Sequence, residues 1–332
     1  MKPLLFLLFS LPIGFYLNAQ DQPSPEFQQI TEEIGSKGNA YNPQQLLADV
    51  WGNVGITNDD YMTYFGQKAP GMKPEKFAPR QISLPDRYEY GSVFSQDGRE
   101  FFFSTVHRGV AKTWYSKLEE GVWSEPEIIL SDEQYSYNDP MLSPDEQRLY
   151  FITNRTISGK GEAKDYDIWY IERQISGWSE PQHISEPLNT SANEYYISFS
   201  QEGDLYFASN REATDERKQN FDIYIYKPQG EVEKLNDAIN TPSYEADVFV
   251  APDASYLIFS ANRPEGYGQG DLYISFKDET GAWKEAVNMG PEINTAGHQL
   301  CPFVSADGKY FFFTSEQDIY WVDAGVLRKY EP

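Results

Sequence analysis

The sequence predicts an all-β chain folded as a single β-propeller of five blades, and three observations predict it. A turn motif recurs five times, an aromatic-rich run follows each turn, and an outer-strand motif stands alone near the front while the last copy lacks one. The turns are Ser95-Gln96-Asp97-Gly98, Ser143-Pro144-Asp145, Ser200-Gln201-Glu202-Gly203, Ala251-Pro252-Asp253 and Ser305-Ala306-Asp307-Gly308, with acidic positions 48, 57, 51 and 54 residues apart. The runs that follow, such as Phe101-Phe102-Phe103 and Leu257-Ile258-Phe259, are short, aromatic or β-branched, and bounded by Gly, Pro, Asn and Asp. Such segments are strands. Apolar residues at consecutive positions are expected of strands packed on both faces, as in a blade held between two neighbours.

In chain order, residues 1–19 read as a signal peptide cleaved after Ala19, with Lys2 ahead of an apolar stretch at 4–16. That stretch falls short of the ~20 residues needed to span a bilayer. No cysteine follows that would anchor a lipoprotein, so a chain without a transmembrane anchor is expected. Residues 20–65 form a polar, helical appendage. Ser24-Pro25 and Asn42-Pro43 each place a capping residue before proline at a helix start. The second helix would end at Trp51 and dock on the propeller through Leu46, Leu47, Val50 and Trp51.

The propeller is assigned to 66–332. Its first segment, Pro70-Gly71-Met72-Lys73-Pro74, resembles the fourth segments Gly121-Val122-Trp123-Ser124-Glu125-Pro126, Gly177-Trp178-Ser179-Glu180-Pro181 and Gly281-Ala282-Trp283. Residues 72–81 are therefore predicted to pair with 318–322 and close the ring, which removes the exposed edges of an open one. A sixth sheet built from residues 60–65 is the alternative.

The chain has 51 acidic residues against 27 basic ones, a net charge of −24, which excludes nucleic acid as a partner class. The single cysteine, Cys301, lies inside an apolar run and reads as a core thiol. The histidines His107, His183 and His298 share no metal-ligand spacing, and no Gly-x-Ser-x-Gly elbow occurs. The loop Gly266-Tyr267-Gly268-Gln269-Gly270 precedes a strand, whereas a phosphate cradle opens a helix.

The pattern Ser-Pro-Asp-Gly, then Leu-Tyr-Phe-x-Ser-Asn-Arg, then Gly-x-Asp-Ile-Tyr, then Gly-x-Trp-x-x-Pro and Asn-Thr resembles the WD-repeat-like propellers of exported bacterial proteins. These are also called PD-type repeats, and the propeller half of the periplasmic Tol translocation component is a relative. The resemblance covers about residues 72–323. It implies a periplasmic or secreted platform that binds an envelope protein or a glycan; the chain itself is expected to be a monomer. Departures are the first copy, with Thr105 to Arg108 in place of Ser-Asn-Arg, the third, which lacks the tryptophan, and the fifth, where Ser315-Glu316 leads almost directly into Asp318.

Two residue sets stand out. Arg155, Arg211 and Arg263, each followed by Asp167, Asp222 and Asp271, are expected to pair and tie the second strand of a blade to its third. Glu89, Tyr137, Glu194, Glu245 and Gln299 occupy equivalent positions just before the innermost strands, on the face that carries the long loops. They are predicted to ring the channel mouth, with Tyr195, Tyr196 and Tyr244 beside them. Three glutamates that converged there would repel one another, raise at least one pKa, and suit a hard cation such as calcium. The alternative is that each hydrogen-bonds the backbone of the next blade. The function expected is a non-catalytic binding module; the rival is a glycan-active hydrolase, which would need a spaced pair of carboxylates.

Overall fold

The computed structural model describes residues 64–214 and 220–331. The chain divides into two compact units at Asn58/Asp59. The first unit, with the expected leader and both expected helix starts, lies outside the described residues. The second is an all-β propeller of five sheets.

Blade one comprises Tyr88–Phe94, Glu100–His107 and Val110–Glu119, flanked by the short outer strands Val122–Trp123 and Glu127–Leu130. Blade two is Tyr137–Leu142, Arg148–Thr153 and Asp167–Gln174, with Gly177–Trp178 and Gln182–His183 outside. Blade three runs Glu194–Phe199, Leu205–Ser209, Asp222–Tyr226 and Val232–Lys234; blade four runs Tyr244–Val250, Tyr256–Asn262, Asp271–Phe276 and Val287–Asn288. Blade five takes Leu300–Val304, Tyr310–Ser315 and Asp318–Asp323 from the C-terminal end and borrows Glu75–Lys76 as its outermost strand, in register with Trp321 and Tyr320. The ring closes as the sequence predicts, and the described residues hold no sixth sheet.

Consecutive apolar residues are explained by the packing. Phe101, Phe102 and Phe103 are all fully buried, as are Phe311, Phe312 and Phe313, because each side of a blade meets a neighbour. The recurrent turn is a hydrogen-bonded clasp. Ser95 Oγ donates to Asp97 Oδ1 at 2.6 Å and the Arg99 amide to the same oxygen at 3.0 Å; Ser143/Asp145 and Ser305/Asp307 repeat it. The closing asparagine is a peptide mimic. Asn189 accepts from the Ile168 amide and donates to its carbonyl, both at 2.8 Å, and Asn240 and Asn294 hold Ile223 and Leu272 in the same way.

The seam between blades five and one is filled by aromatic rings. Tyr64 and Phe65, placed by sequence in the appendage, are buried propeller residues. Phe65 stacks on Trp123 with centroids 4.1 Å apart and meets the edge of Phe77 at 5.8 Å. Phe77 in turn touches Phe101 of blade one and Phe312 and Trp321 of blade five. Both rings thus pack as part of the propeller, since burying two large rings outweighs the polar composition of the stretch around them.

Candidate functional site: the cup in the central channel

The five innermost strands share one irregularity. Each pairing with the second strand shifts register near mid-strand. At that point the backbone turns left-handed, at Gly91 (φ 66°), Asp139 (48°), Tyr196 (43°), Asp247 (51°) and Cys301 (52°). Glycine adopts this conformation freely and aspartate with modest cost, but tyrosine and cysteine do so under strain. A bulge bends its strand and re-aims a side chain, and here the bulges bring Asp139, Tyr196, Asp247 and Cys301 into one another's fields.

Side chains that meet across blades locate this waist. A Cβ on Gly91 of blade one would stand 3.3 Å from the Asp139 Oδ1 of blade two. The Cys301 Sγ of blade five lies 3.8 Å from that same oxygen. Asp247 of blade four feels the Asp139 charge. Tyr196 of blade three sends its hydroxyl past blade four to the Pro302 carbonyl of blade five, at 2.9 Å.

On the loop side of the waist the wall is tyrosine. Tyr88, Tyr90, Tyr195 and Tyr244 sit one or three residues before the bulges and are partly exposed. Tyr88 and Tyr90 lie 5.2 Å apart, and the Tyr90 hydroxyl donates to Asn138 Oδ1 at 2.6 Å. A ladder of rings continues around the mouth as Tyr166, Tyr195, Phe221 and Tyr244, with successive centroids 5.2, 5.1 and 5.6 Å apart. Burial pushes the tyrosine hydroxyls up, so the rings remain neutral. Burial also pushes the Asp139 carboxyl up to about 7, and Asp247 up to about 8 with added repulsion from Asp139.

The predicted ring of glutamates is not in this wall. Glu89, Glu194, Glu245 and Gln299 have 0 % exposed surface and Tyr137 has 5 %. The reason is strand alternation: two residues before each bulge lies on the blade-facing side, and the tyrosines one residue to either side face the channel. The buried carboxylates organise the blade junctions. Glu194 accepts from the Thr190 amide (3.1 Å) and hydroxyl (2.9 Å) and from Ser209 Oγ (2.9 Å), and Glu245 repeats the pattern with Thr241. The backbone amides of Glu89, Glu194, Glu245 and Gln299 bond Gln317, Tyr166, Phe221 and Gly270 of the preceding blade. The alternative weighed from sequence has these side chains bond the backbone of the next blade; instead Glu194 and Glu245 bond the Thr190 and Thr241 amides of the links that precede their own strands.

The repeated arginines serve these carboxylates and not the aspartates assigned to them. Arg211 pairs with Glu194 at 3.2 Å and Arg263 with Glu245 at 3.3 Å, and each guanidinium also caps a link carbonyl, of Leu188 or Ile239. Glu89 takes Arg87, the residue just before its own strand. Where the glutamate is absent the arrangement changes. Arg155 lies over Trp169, 5.2 Å from its centroid, beside Tyr137. Gln299 answers to Thr295 and Ser315 at a position with no arginine. The aspartates turn outward: Asp167 to Lys164 (2.5 Å) and His183 (2.7 Å), Asp222 to Lys234 (2.7 Å), and Asp271 to Asn288 (2.8 Å).

Removing Arg263 strands a buried carboxylate, so Arg263→Ala is expected to cost about 3–5 kcal/mol in denaturant unfolding. Adding Glu245→Gln, the blade-five solution, should recover much of it. A loss under about 1 kcal/mol would show that the pair contributes little, as at an exposed site.

Burial raises the pKa values of Glu89, Glu194 and Glu245, and the mutual repulsion expected of a converging ring is not among the causes. Among the described residues, no group of three or more His, Cys, Asp or Glu is placed to hold a metal ion. Calcium at Glu89, Glu194 and Glu245 would need carboxylates that converge, and these lie apart in separate junctions. A cleft of 720 Å³ beside blade three is lined by Glu212, Thr214, Asp222, Lys234 and Asp237. Its lysine is already committed to Glu212 (3.1 Å) and Asp222.

Fold and site together define a five-bladed β-propeller whose channel forms a tyrosine-walled cup over two aspartates. No family model and no curated relative matches the chain. Among solved structures, TolB from Acinetobacter baumannii is 15% identical, with 71% of this chain and 54% of that one covered and a TM-score of 0.46. A thermostable family-43 glycoside hydrolase is 12% identical, covering 73% of this chain and 91% of its own, with a TM-score of 0.48. A protein of unknown function from Dyadobacter fermentans DSM 18053 is 13% identical, covering 77% and 83%, with a TM-score of 0.45. The chain thus spans 54% of the Acinetobacter protein's length. These likenesses carry no residue role or activity across.

Cys301 is a buried thiol, as expected, at 1 % exposure. Its position on the channel axis, and that of Asp139 and Asp247, was missed by sequence. The signal was available, because each stands two residues after its copy's Glu89-equivalent position.

Proposed function

We propose that the protein is an exported, non-catalytic propeller that binds a periplasmic or envelope protein, or a glycan, in the cup of its channel. The observation that supports this most directly is the mouth lined by Tyr88, Tyr90, Tyr195 and Tyr244. Tyrosine offers large apolar area with a polar tip and little rotamer entropy to lose, which is why it concentrates at binding surfaces. No helix among the described residues is long and apolar enough to cross a membrane.

The test is capture from periplasmic extract, together with binding to a panel of cell-wall and plant glycans. Tyr195→Ala and Tyr244→Ala are expected to weaken retention of the captured partner by about tenfold or more. Undiminished capture by both variants would move the binding surface elsewhere.

A second reading, glycan hydrolysis, draws on one observation. Asp139 and Asp247 keep carboxyl protons near neutral pH, a condition that suits a general acid. Release of reducing sugar that Asp247→Asn abolishes would replace the binding reading with this one.

A further inference from the structure

We propose that the floor of the cup receives a cationic group, an ammonium or guanidinium carried by a peptide, at the carboxyls of Asp139 and Asp247 beneath the tyrosine rings. This deepens the reading of the cup as a binding site and rests on it.

The argument starts from what these two carboxyls lack. Among the described residues neither forms an ion pair, and no lysine, arginine or histidine contributes to the electrostatics of either. Of the other buried carboxylates among the described residues, Glu89, Glu194, Glu245, Asp167 and Asp222 each hold an arginine, lysine or histidine, and Asp271 accepts from Asn288 and the Tyr267 amide; Asp139 is buried and Asp247 half-buried with neither kind of partner. Asp139 is 8 % exposed, and the partner described for it is the thiol of Cys301 at 3.8 Å, a weak donor. It faces residues of blades one, three, four and five, so it points at the axis and not into a junction. A carboxyl buried without a protein partner costs stability, and its position is understandable if a partner arrives from outside.

The surroundings favour an organic cation over a metal ion. A calcium site needs six or more oxygen ligands, whereas no third metal-ligating residue joins these two among the described residues. The groups facing them are Tyr88 and Tyr90 of blade one, Tyr195 and Tyr196 of blade three, Tyr244 of blade four and Cys301 of blade five. All are neutral, and five are aromatic rings whose faces attract cations. The net charge of −24 draws basic ligands from a distance.

Isothermal titration with lysyl-lysine amide tests this on the purified chain. Its fully acetylated form and calcium chloride alone are the controls. Binding is expected at pH 8.5, weakening by about tenfold or more at pH 6 as the carboxyls take up protons. Asp139→Asn and Asp247→Asn should each lower affinity by about tenfold, the scale of one lost charge-assisted hydrogen bond. Equal binding of the acetylated peptide, affinity unchanged in both variants, or no heat with the wild-type protein would each overturn the proposal. So would calcium binding of equal strength, which would make this a metal site. If lysyl-lysine amide fails while partner capture still depends on Tyr195 and Tyr244, the cationic ligand is wrong and the binding function stands. Loss of that dependence would sink the function itself.

Discussion

Asp139→Asn is expected to stabilise the protein above pH 8 by about 2–4 kcal/mol, and to flatten the fall in stability between pH 4 and pH 7. In the folded state burial holds the carboxyl's pKa up to about 7, against an ordinary value of 3.8. Over that window the folded chain keeps a proton that the unfolded chain has released, so stability declines as pH rises. Above about pH 7 both states are ionised and the full deficit is present, at roughly 1.4 kcal/mol per pKa unit. Below about pH 4 both are protonated and the substitution should be nearly neutral. Asp247→Asn should act likewise up to about pH 8, where its own raised value lies. Because Asp139 contributes to the Asp247 shift, the double variant should gain less than the sum of the singles. Urea unfolding from pH 4 to pH 9 measures all three. A gain independent of pH, or a loss above pH 8, would contradict the buried, unpartnered state on which the cup's chemistry depends. A fold that keeps two residues costing it stability at working pH has put them to some use other than holding itself together.

Phe77→Ala is expected to be the most damaging truncation at the seam, costing about 3–5 kcal/mol. The ring is fully buried and touches Phe65, Phe94, Phe101, Phe312 and Trp321, which come from both sides of the closure. Phe65→Ala should cost a similar amount, through its stack on Trp123. The two effects should not add, since the rings touch. Calorimetry of the single and double variants checks both statements. A melting transition unmoved by Phe77→Ala would mean that the borrowed strand closes the ring without supporting it.

The fold was legible because its signals repeat. Five copies of one turn, each a serine or alanine followed by an acidic residue, fixed the blade count. The stray outer-strand motif at Pro70 to Pro74 announced the closure. What stayed hidden was a matter of parity. Glu194 and Tyr195 are neighbours, and nothing in their types says which of them faces the channel. The bulge that brings Asp139 and Asp247 inward changes the alternation without any glycine or proline common to the five copies; Gly91 marks it in one blade only. The arginines were assigned to the wrong partners for a related reason. Asp222 is near Arg211 in sequence and faces Ser209 across the strands, but Glu194, well upstream, lies in the junction where the guanidinium can also reach the Leu188 carbonyl. Tyr64 and Phe65 were missed because two rings in a polar stretch give no period.

The hydroxyl of Tyr196, bonded to the Pro302 carbonyl on the far side of blade four, lays a side chain between blades three and five at the waist. A polymer cannot be threaded through a passage with a side chain laid across it. A partner that binds in the cup as proposed would meet this bond from the mouth side, which favours an end, a branch or a single protruding side chain over the interior of a taut strand. On that reading recognition falls on termini and tips, and one propeller engages a long partner at a single free end without sliding along it.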